Sequence, residues 1–191
     1  CETCQRVKTH YAREEANLTP LEIKSFMYRW SLDLARPTRR TTKAGNNRVL
    51  IMTEHYSRFI ICVPIPNKEA ATIANAFRQH VLAVFGAPAE CLVDGGTEFE
   101  GEFEELCREC LIDRRVTSPD SPEGNGLTER VVKTIKYCFK KMALEKGLSW
   151  EWDQLLWSLS LSYNAVKQQS TGVAPFTLLS AQEAVVPPDL K

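Results

Sequence analysis

The sequence predicts one mixed α/β domain: a five-stranded mixed sheet flanked by helices. Three observations carry that expectation. Three β-rich runs lie close together in the first half of the chain. The second half alternates helical and strand patterns. The resulting order, βββαβαβαα, suits a single mixed sheet covered by helices. At 191 residues and 43% hydrophobic content the chain can bury one well-packed core.

The elements follow in order. "CETCQRVKTHYA" reads apart from the rest, and a loop through Pro20 follows. "MYRWSLDLARP" alternates as a half-buried strand does. "NNRVLIMTEHYSRFIICVPIP" gives two more β-rich runs, broken at "EHYSR". These predict strands near 28–35, 48–54 and 58–65, paired as antiparallel hairpins. "NKEAATIANAFRQHVLAVFG" has the period of an amphipathic helix, with Asn67 as its cap and Gly86 and Pro88 as its stop. "ECLVD" is a short buried strand that ends at Asp94. "GEFEELCRECL" is a second helix and "DRRVTS" a fifth strand. After the Pro- and Gly-rich loop "PDSPEGNG" comes a helix carrying Glu129, then a Trp- and Leu-rich one, "SWEWDQLLWSLSLSYNAVKQQ".

Composition excludes several classes. Lys+Arg and Asp+Glu both count 24, so any basic surface must be local. No apolar run approaches the ~20 residues of a membrane span, so no membrane partner is expected. No secretory signal is visible. The chain begins with Cys and reads as a piece of something longer. Seven cysteines, several inside apolar runs, predict reduced intracellular thiols rather than a disulfide framework.

Three carboxylates stand out. Asp33 interrupts the apolar run "WSLDLA", and Asp94 ends "ECLVD" directly before two glycines. The bland reading of each is a turn cap or a water-facing edge position. Glu129 precedes Lys133, Lys136 and Lys140 at steps of four, three and four, all on one helical face. By itself it reads as an ordinary Glu–Lys helix pair, worth ~0.2–0.5 kcal/mol. Together, two Asp and a Glu are the oxygen ligands that Mg²⁺ or Mn²⁺ selects. A pair of such ions can clamp the attacking and leaving oxygens of a phosphoryl transfer. The lysine stripe then reads as phosphate contacts.

"WSLDLARP", "CLVDGGTEF" and "SPEGNGLTERVVKTIK" resemble the three signature blocks of retroviral and LTR-retrotransposon integrases, and "QQSTGVAPFTLL" resembles a block of gypsy-type elements. The resemblance covers roughly residues 18–179. It implies an RNase H-like fold, a catalytic D,D,E triad of Asp33, Asp94 and Glu129, and two Mg²⁺ or Mn²⁺ ions held by those three. The implied reactions are 3′-end processing and strand transfer, by a polynucleotidyl transferase. The implied partners are retroelement DNA ends, target DNA and further copies of the chain, as a dimer or higher oligomer. The implied place of action is the host-cell nucleus, reached through a cytoplasmic particle. The spacing from Asp94 to Glu129 is one residue shorter than usual in that family. Ser121-Pro122-Glu123 stands where the family often has His-Pro-Gln, and Glu54 where it commonly has Asp. These departures keep a second reading open: a decayed or host-adopted domain that binds DNA or protein without chemistry. A third, an RNase H-type nuclease or DNA transposase, keeps the metals and changes the substrate.

The remaining candidates divide between site and scaffold. Residues 1–12 resemble the end of a zinc-binding module, with Cys1 and Cys4 as zinc ligands only in the full-length protein, since two thiolates do not close a tetrahedral site. Residues 180–191 are expected to begin a linker to a further region. "RPTRRTTKAGNNR" is either a solvated hairpin loop or, through residues such as Arg39 and Arg40, a DNA phosphate contact. Asn125 is a DNA-contact candidate in its glycine-flanked loop. "CREC" (Cys107, Cys110) reads as core packing. "EFEGEFEEL" reads as an acidic surface with no site, and His55 and His80 as surface or packing residues.

Overall fold

The computed structural model describes residues 25–38, 40–117, 126–146 and 151–187; within 126–146, side chains are described for residues 130–139 and 141. Five strands form one sheet: β1 (Arg29–Ala35), β2 (Arg48–Glu54), β3 (Ile60–Ile65), β4 (Glu90–Val93) and β5 (Asp113–Val116). Their order is β3-β2-β1-β4-β5. The first three pair as antiparallel hairpins, whereas β4 and β5 join in parallel. The central strand β1 therefore has an antiparallel neighbour on one side and a parallel one on the other.

Both faces of the sheet are covered, which is why β2 reads as an unbroken apolar run rather than an alternating one. Trp30, Leu32, Leu50 and Met52 point to one face. There they meet α1 (Ala70–Phe77) and α2 (Glu102–Glu109) through Ile73, Phe77, Phe103 and Leu106. Ala35, Val49, Ile51 and Cys62 point to the other. There they meet α3 (Gly126–Lys146) and α4 (Leu156–Ala165) through Val132, Ile135, Phe139 and Leu159. A short last helix, α5 (Pro175–Ser180), begins within "STGVAPFTLL", where no helix was expected.

One local expectation, the helix cap, needs correction. Asn67 is not the helix cap; Glu69 holds that position, and the Asn67 side chain accepts hydrogen bonds from Glu69 N at 3.1 Å and Thr72 Oγ1 at 2.7 Å. The helix also continues past α1 through a π turn, Arg78–Leu82, to a last turn at Ala83–Phe85. Its stop is as expected: Gly86 takes φ 84°, a conformation glycine adopts without strain.

The start of the sheet is held by buried polar groups. Glu90 is 2% exposed. It accepts hydrogen bonds from Arg29 Nε at 2.6 Å and Tyr28 Oη at 2.9 Å, and pairs with Arg115 at 3.0 Å. Glu54, fully buried, ties the β2–β3 turn by accepting from Tyr56 N, Ser57 N and Ser57 Oγ, and also from Met27 N. This variation in the "TEHYSR" stretch is thus a turn anchor.

His55 lies buried beside Arg29, with its backbone N–H donating to Arg29 O at 3.0 Å. Burial, then the charges of Arg29 and Arg58, lower its pKa from 6.5 to about 3. The unfolded chain binds this proton below about pH 6.5 and the folded chain does not until about pH 3. Stability is therefore whole above pH 6.5 and falls through that window, by up to ~1.4 kcal/mol per pH unit from this group. Urea titrations of wild type and His55→Gln between pH 7 and 4 are expected to show a shallower acid decline in the variant.

Candidate active site

The parallel register builds the centre of the site. Trp30 pairs with Cys91 and Ser31 with Leu92. Carried two residues further, that register sets Asp33 beside Asp94, one sheet spacing apart (~4.8 Å) and on the same face. The β1–β2 pairing identifies the face, because Asp33 sits opposite Ile51, which packs beneath α3. Asp94 falls just past the end of β4, not within it, and is exposed, whereas Asp33 is half-buried. Two acids 61 positions apart in the chain are thus brought to the same end of two interior strands, on the face that α3 covers.

Glu129 lies in the first turn of α3, three residues before the buried Val132. Its side chain and that of Lys140 lie outside the described residues. Lys133 and Lys136 are exposed, along one flank of the buried stripe Val132, Ile135 and Phe139. The helical face expected from the sequence is therefore present for both. Asn125, Arg39, Cys1 and Cys4 lie outside the described residues, as does the stretch 1–12.

Directly after Asp94 the chain turns back, and Gly96 N donates to Asp94 Oδ1 at 3.0 Å. A Cβ on Gly96 would lie 2.9 Å from that oxygen, 2.8 Å from Glu98 Oε2 and 2.7 Å from Glu98 Cδ. The two carboxylates thus close on the space that glycine leaves open. Glu98 belongs to the stretch read from sequence as an acidic surface without a site, and here that reading missed a neighbour of Asp94. The signal was present: three residues, two of them glycines, separate the acids, enough for a tight turn to bring them back together. Gly96→Ala is expected to push these flexible carboxylates aside, with a stability change within ~1 kcal/mol. Any activity that depends on the Asp94 carboxylate should fall by about tenfold or more, because misplacement by ~1 Å can cost ~10²-fold.

The basic loop 36–47 leaves β1 just after Asp33. Arg36 and Arg40 are exposed on it. Lys43 pairs with Glu151 at 2.7 Å, and Thr42 Oγ1 and Asn46 Nδ2 donate to Asp153 at 2.7 Å and 2.9 Å. Burial works against the Asp153 charge, but the hydrogen bonds from Asn46 and Thr42 outweigh it and lower the pKa. The loop is thus anchored to the segment before α4, and only part of its charge faces outward. Cys107 packs in the core against Cys91, whose thiol burial pushes well up, and Cys110 packs at the edge of that core. The reading of "CREC" as packing agrees with this. Trp152 is core, whereas Trp157 is 61% exposed.

Among the described residues, no three His, Cys, Asp or Glu side chains gather closely enough to hold a metal ion. The third acid of the expected set, Glu129, has its side chain outside them. The described pair fits a hard cation by its chemistry. Asp33 and Asp94 offer carboxylate oxygens on one face, and Asp94 is open to water. No helix of the described residues is long and apolar enough to cross a membrane.

Residues 26–122 match the family described as "Integrase core domain". This span includes Asp33 and Asp94 and ends before Glu129. The chain is 26% identical over 180 residues to the Gag-Pol polyprotein of baboon endogenous virus, covering 94% of this chain and 10% of that protein. It is 23% identical over 190 residues to the transposon Tf2-3 polyprotein of Schizosaccharomyces pombe, covering 98% of this chain and 14% of that protein. The chain thus spans a small part of these curated relatives. Among solved structures, the HTLV-2 integrase catalytic core domain in complex with magnesium superposes with a TM-score of 0.61 at 19% identity, covering 78% of this chain and 94% of that one. The catalytic core domain of BIV integrase gives the same TM-score and identity, over 80% and 93%. At that identity the likeness establishes the fold, which is RNase H-like.

Proposed function

Because the chain belongs to the integrase core domain family, we propose that it is the catalytic core of an LTR-retroelement integrase, a polynucleotidyl transferase that inserts element DNA into target DNA. Family membership supports an integration role of the retroviral and retrotransposon type. What supports the finer reading is the parallel β1–β4 register, which, carried two residues on, puts Asp33 and Asp94 side by side at the C-terminal ends of two interior strands.

In this reading Asp33, Asp94 and Glu129 hold two divalent cations, Mg²⁺ or Mn²⁺. When bound, such ions polarise a phosphodiester and lower the pKa of an attacking water or hydroxyl. The chain's own residues supply alignment and charge. Asp33 sits on the rigid central strand and fixes one ligand position. Asp94 enters from just past the end of β4, on a turn closed by the hydrogen bond it accepts from Gly96 N. Lys133, Lys136 and Lys140 run back along α3 as contacts for the phosphates of the element's DNA end, and Arg39, Arg40 and Asn125 contact DNA around the site. Phosphoryl transfer needs positioning and charge stabilisation more than a protein nucleophile, and none is assigned.

Both 3′-end processing and strand transfer belong to this proposal. So do action as a homo-oligomer on DNA ends and target DNA, a nuclear place of action, and zinc on Cys1 and Cys4 in the full-length protein. The test is disintegration, the reverse of strand transfer, on a branched oligonucleotide with Mn²⁺ or Mg²⁺. Wild type is expected to be active and Glu129→Gln inactive. Equal activity in both overturns the triad. Inactivity of a folded, DNA-binding wild type instead favours the silent, binding-only domain.

A further inference from the structure

Glu98 brings a second negative charge to the rim of the site. Its Oε2 and the Oδ1 of Asp94 lie 2.8 Å and 2.9 Å from one point above Gly96. The Glu98 side chain is 15% exposed, so water screens it only in part. Its counter-charge comes from another element: Lys68 Nζ stands 3.5 Å from Glu98 Oε2, on the loop that leads into α1. That loop is pinned beside Lys68 by the Asn67 side chain, which accepts from Glu69 N and Thr72 Oγ1. The short turn Thr97–Phe99 carries Glu98, and the buried Phe99 seats it in the core beside Phe103. The backbone that carries each partner of the pair is thus held by contacts of its own.

We infer that Lys68 and Glu98 form a positioning pair for Asp94, setting how strongly its carboxylate draws a divalent cation. The inference rests on the metal-dependent reading of the Asp33–Asp94 site. Glu98 is a neighbour of the cation position rather than a ligand in it. It acts through charge and by confining the Asp94 side chain against the Gly96 turn. Lys68 offsets that charge. Its removal leaves the rim more negative, and removal of Glu98 leaves it more positive by the same amount. Over a separation of several ångströms at a partly screened surface, either change should alter divalent-cation affinity by ~3–10-fold. The two changes should act in opposite directions.

The experiment titrates Mn²⁺ into the 191-residue chain and follows the electron paramagnetic resonance of free Mn²⁺. The chains compared are wild type, Lys68→Gln, Glu98→Gln, the double variant Lys68→Gln/Glu98→Gln, the charge reversal Lys68→Glu/Glu98→Lys, and Asp94→Asn. Thermal melting of each checks folding; Lys68 is 56% exposed, so its ion pair contributes ~0–1 kcal/mol and all should melt near wild type. Lys68→Gln is expected to bind Mn²⁺ more tightly and Glu98→Gln more weakly, with the double variant returning close to wild type. The charge reversal places a cation beside Asp94 and should weaken binding beyond Glu98→Gln. Single variants that move affinity in the same direction, or not at all, overturn the pair's role. Where Asp94→Asn weakens binding and the pair variants do not shift it, the inference fails and the metal site stands. Where Asp94→Asn leaves binding unchanged, the metal site itself is wrong and the pair falls with it.

Discussion

Asp33→Asn is expected to reduce disintegration activity by ~10³-fold or more, the rate equivalent of ~4 kcal/mol of transition-state stabilisation, while the folded state survives. The contrast follows from the position of the residue. Asp33 is held on the central strand, opposite Ile51, on the face that α3 covers. Asparagine has the same shape and keeps hydrogen-bonding capacity, so strand and packing are retained. What disappears is the negative charge, together with its repulsion of Asp94 across one sheet spacing. Removing one of two like charges relieves strain when no cation is bound. Stability of the metal-free variant should therefore be unchanged within ~1 kcal/mol, or raised. Urea unfolding in a chelator, alongside the disintegration assay, reads both effects. A variant that unfolds would make Asp33 a structural residue, and one that retains activity would remove it from the chemistry.

Glu90→Ala should have the opposite signature, with the damage falling on the fold. Glu90 lies on β4 beside Arg29 of β1, paired in register, and both side chains are at least 95% buried. Truncation leaves the Arg29 guanidinium with an uncompensated buried charge, and Arg115 and Tyr28 each lose a partner as well. Breaking a buried pair from one side costs ~3–5 kcal/mol. That should lower the melting temperature by ~6–20 °C for a domain of this size. Arg29→Met/Glu90→Leu, which removes both charges and keeps volume, should recover much of the loss, because the pair's mutual attraction largely offsets the cost of burying it. A Glu90→Ala variant melting within 2 °C or so of wild type would mean that water reaches Arg29.

Local sequence signals found the elements where pattern and chemistry agree. The alternation in "RWSLDLA", the continuous run in "VLIM", and the buried stripe Val132, Ile135, Phe139 each state their own period. The three acids were legible because each sits where a solvated acid is out of place, or beside a lysine row. Glu98 was legible only as a spacing from Asp94. It stands among acids that do face water, and the folded turn at Gly96 is what brings it back to Asp94. Asn67 misled because its residue type suits a helix cap, yet it sits two residues before the cap position Glu69 and bonds Glu69 N and Thr72 Oγ1 from there. Lys43 looked like one more cation of a basic loop, and its partner Glu151 lies 108 positions away.

The sequence by itself determined the five strands, the helices α1 to α4 between and after them, and the family, and it put forward three acids as a candidate set. Those properties follow from side-chain periodicity and residue type, which are local. Only the tertiary structure decided that β4 lies parallel to β1 in a register that brings Asp33 to Asp94. It also decided that Glu98 and Lys68 border that pair, and that the loop's lysine is held by Glu151. Strand order, register and cross-chain ion pairs depend on which surfaces bury one another. That choice is settled by the packing of the whole sheet between its two helical layers, not by any segment read alone.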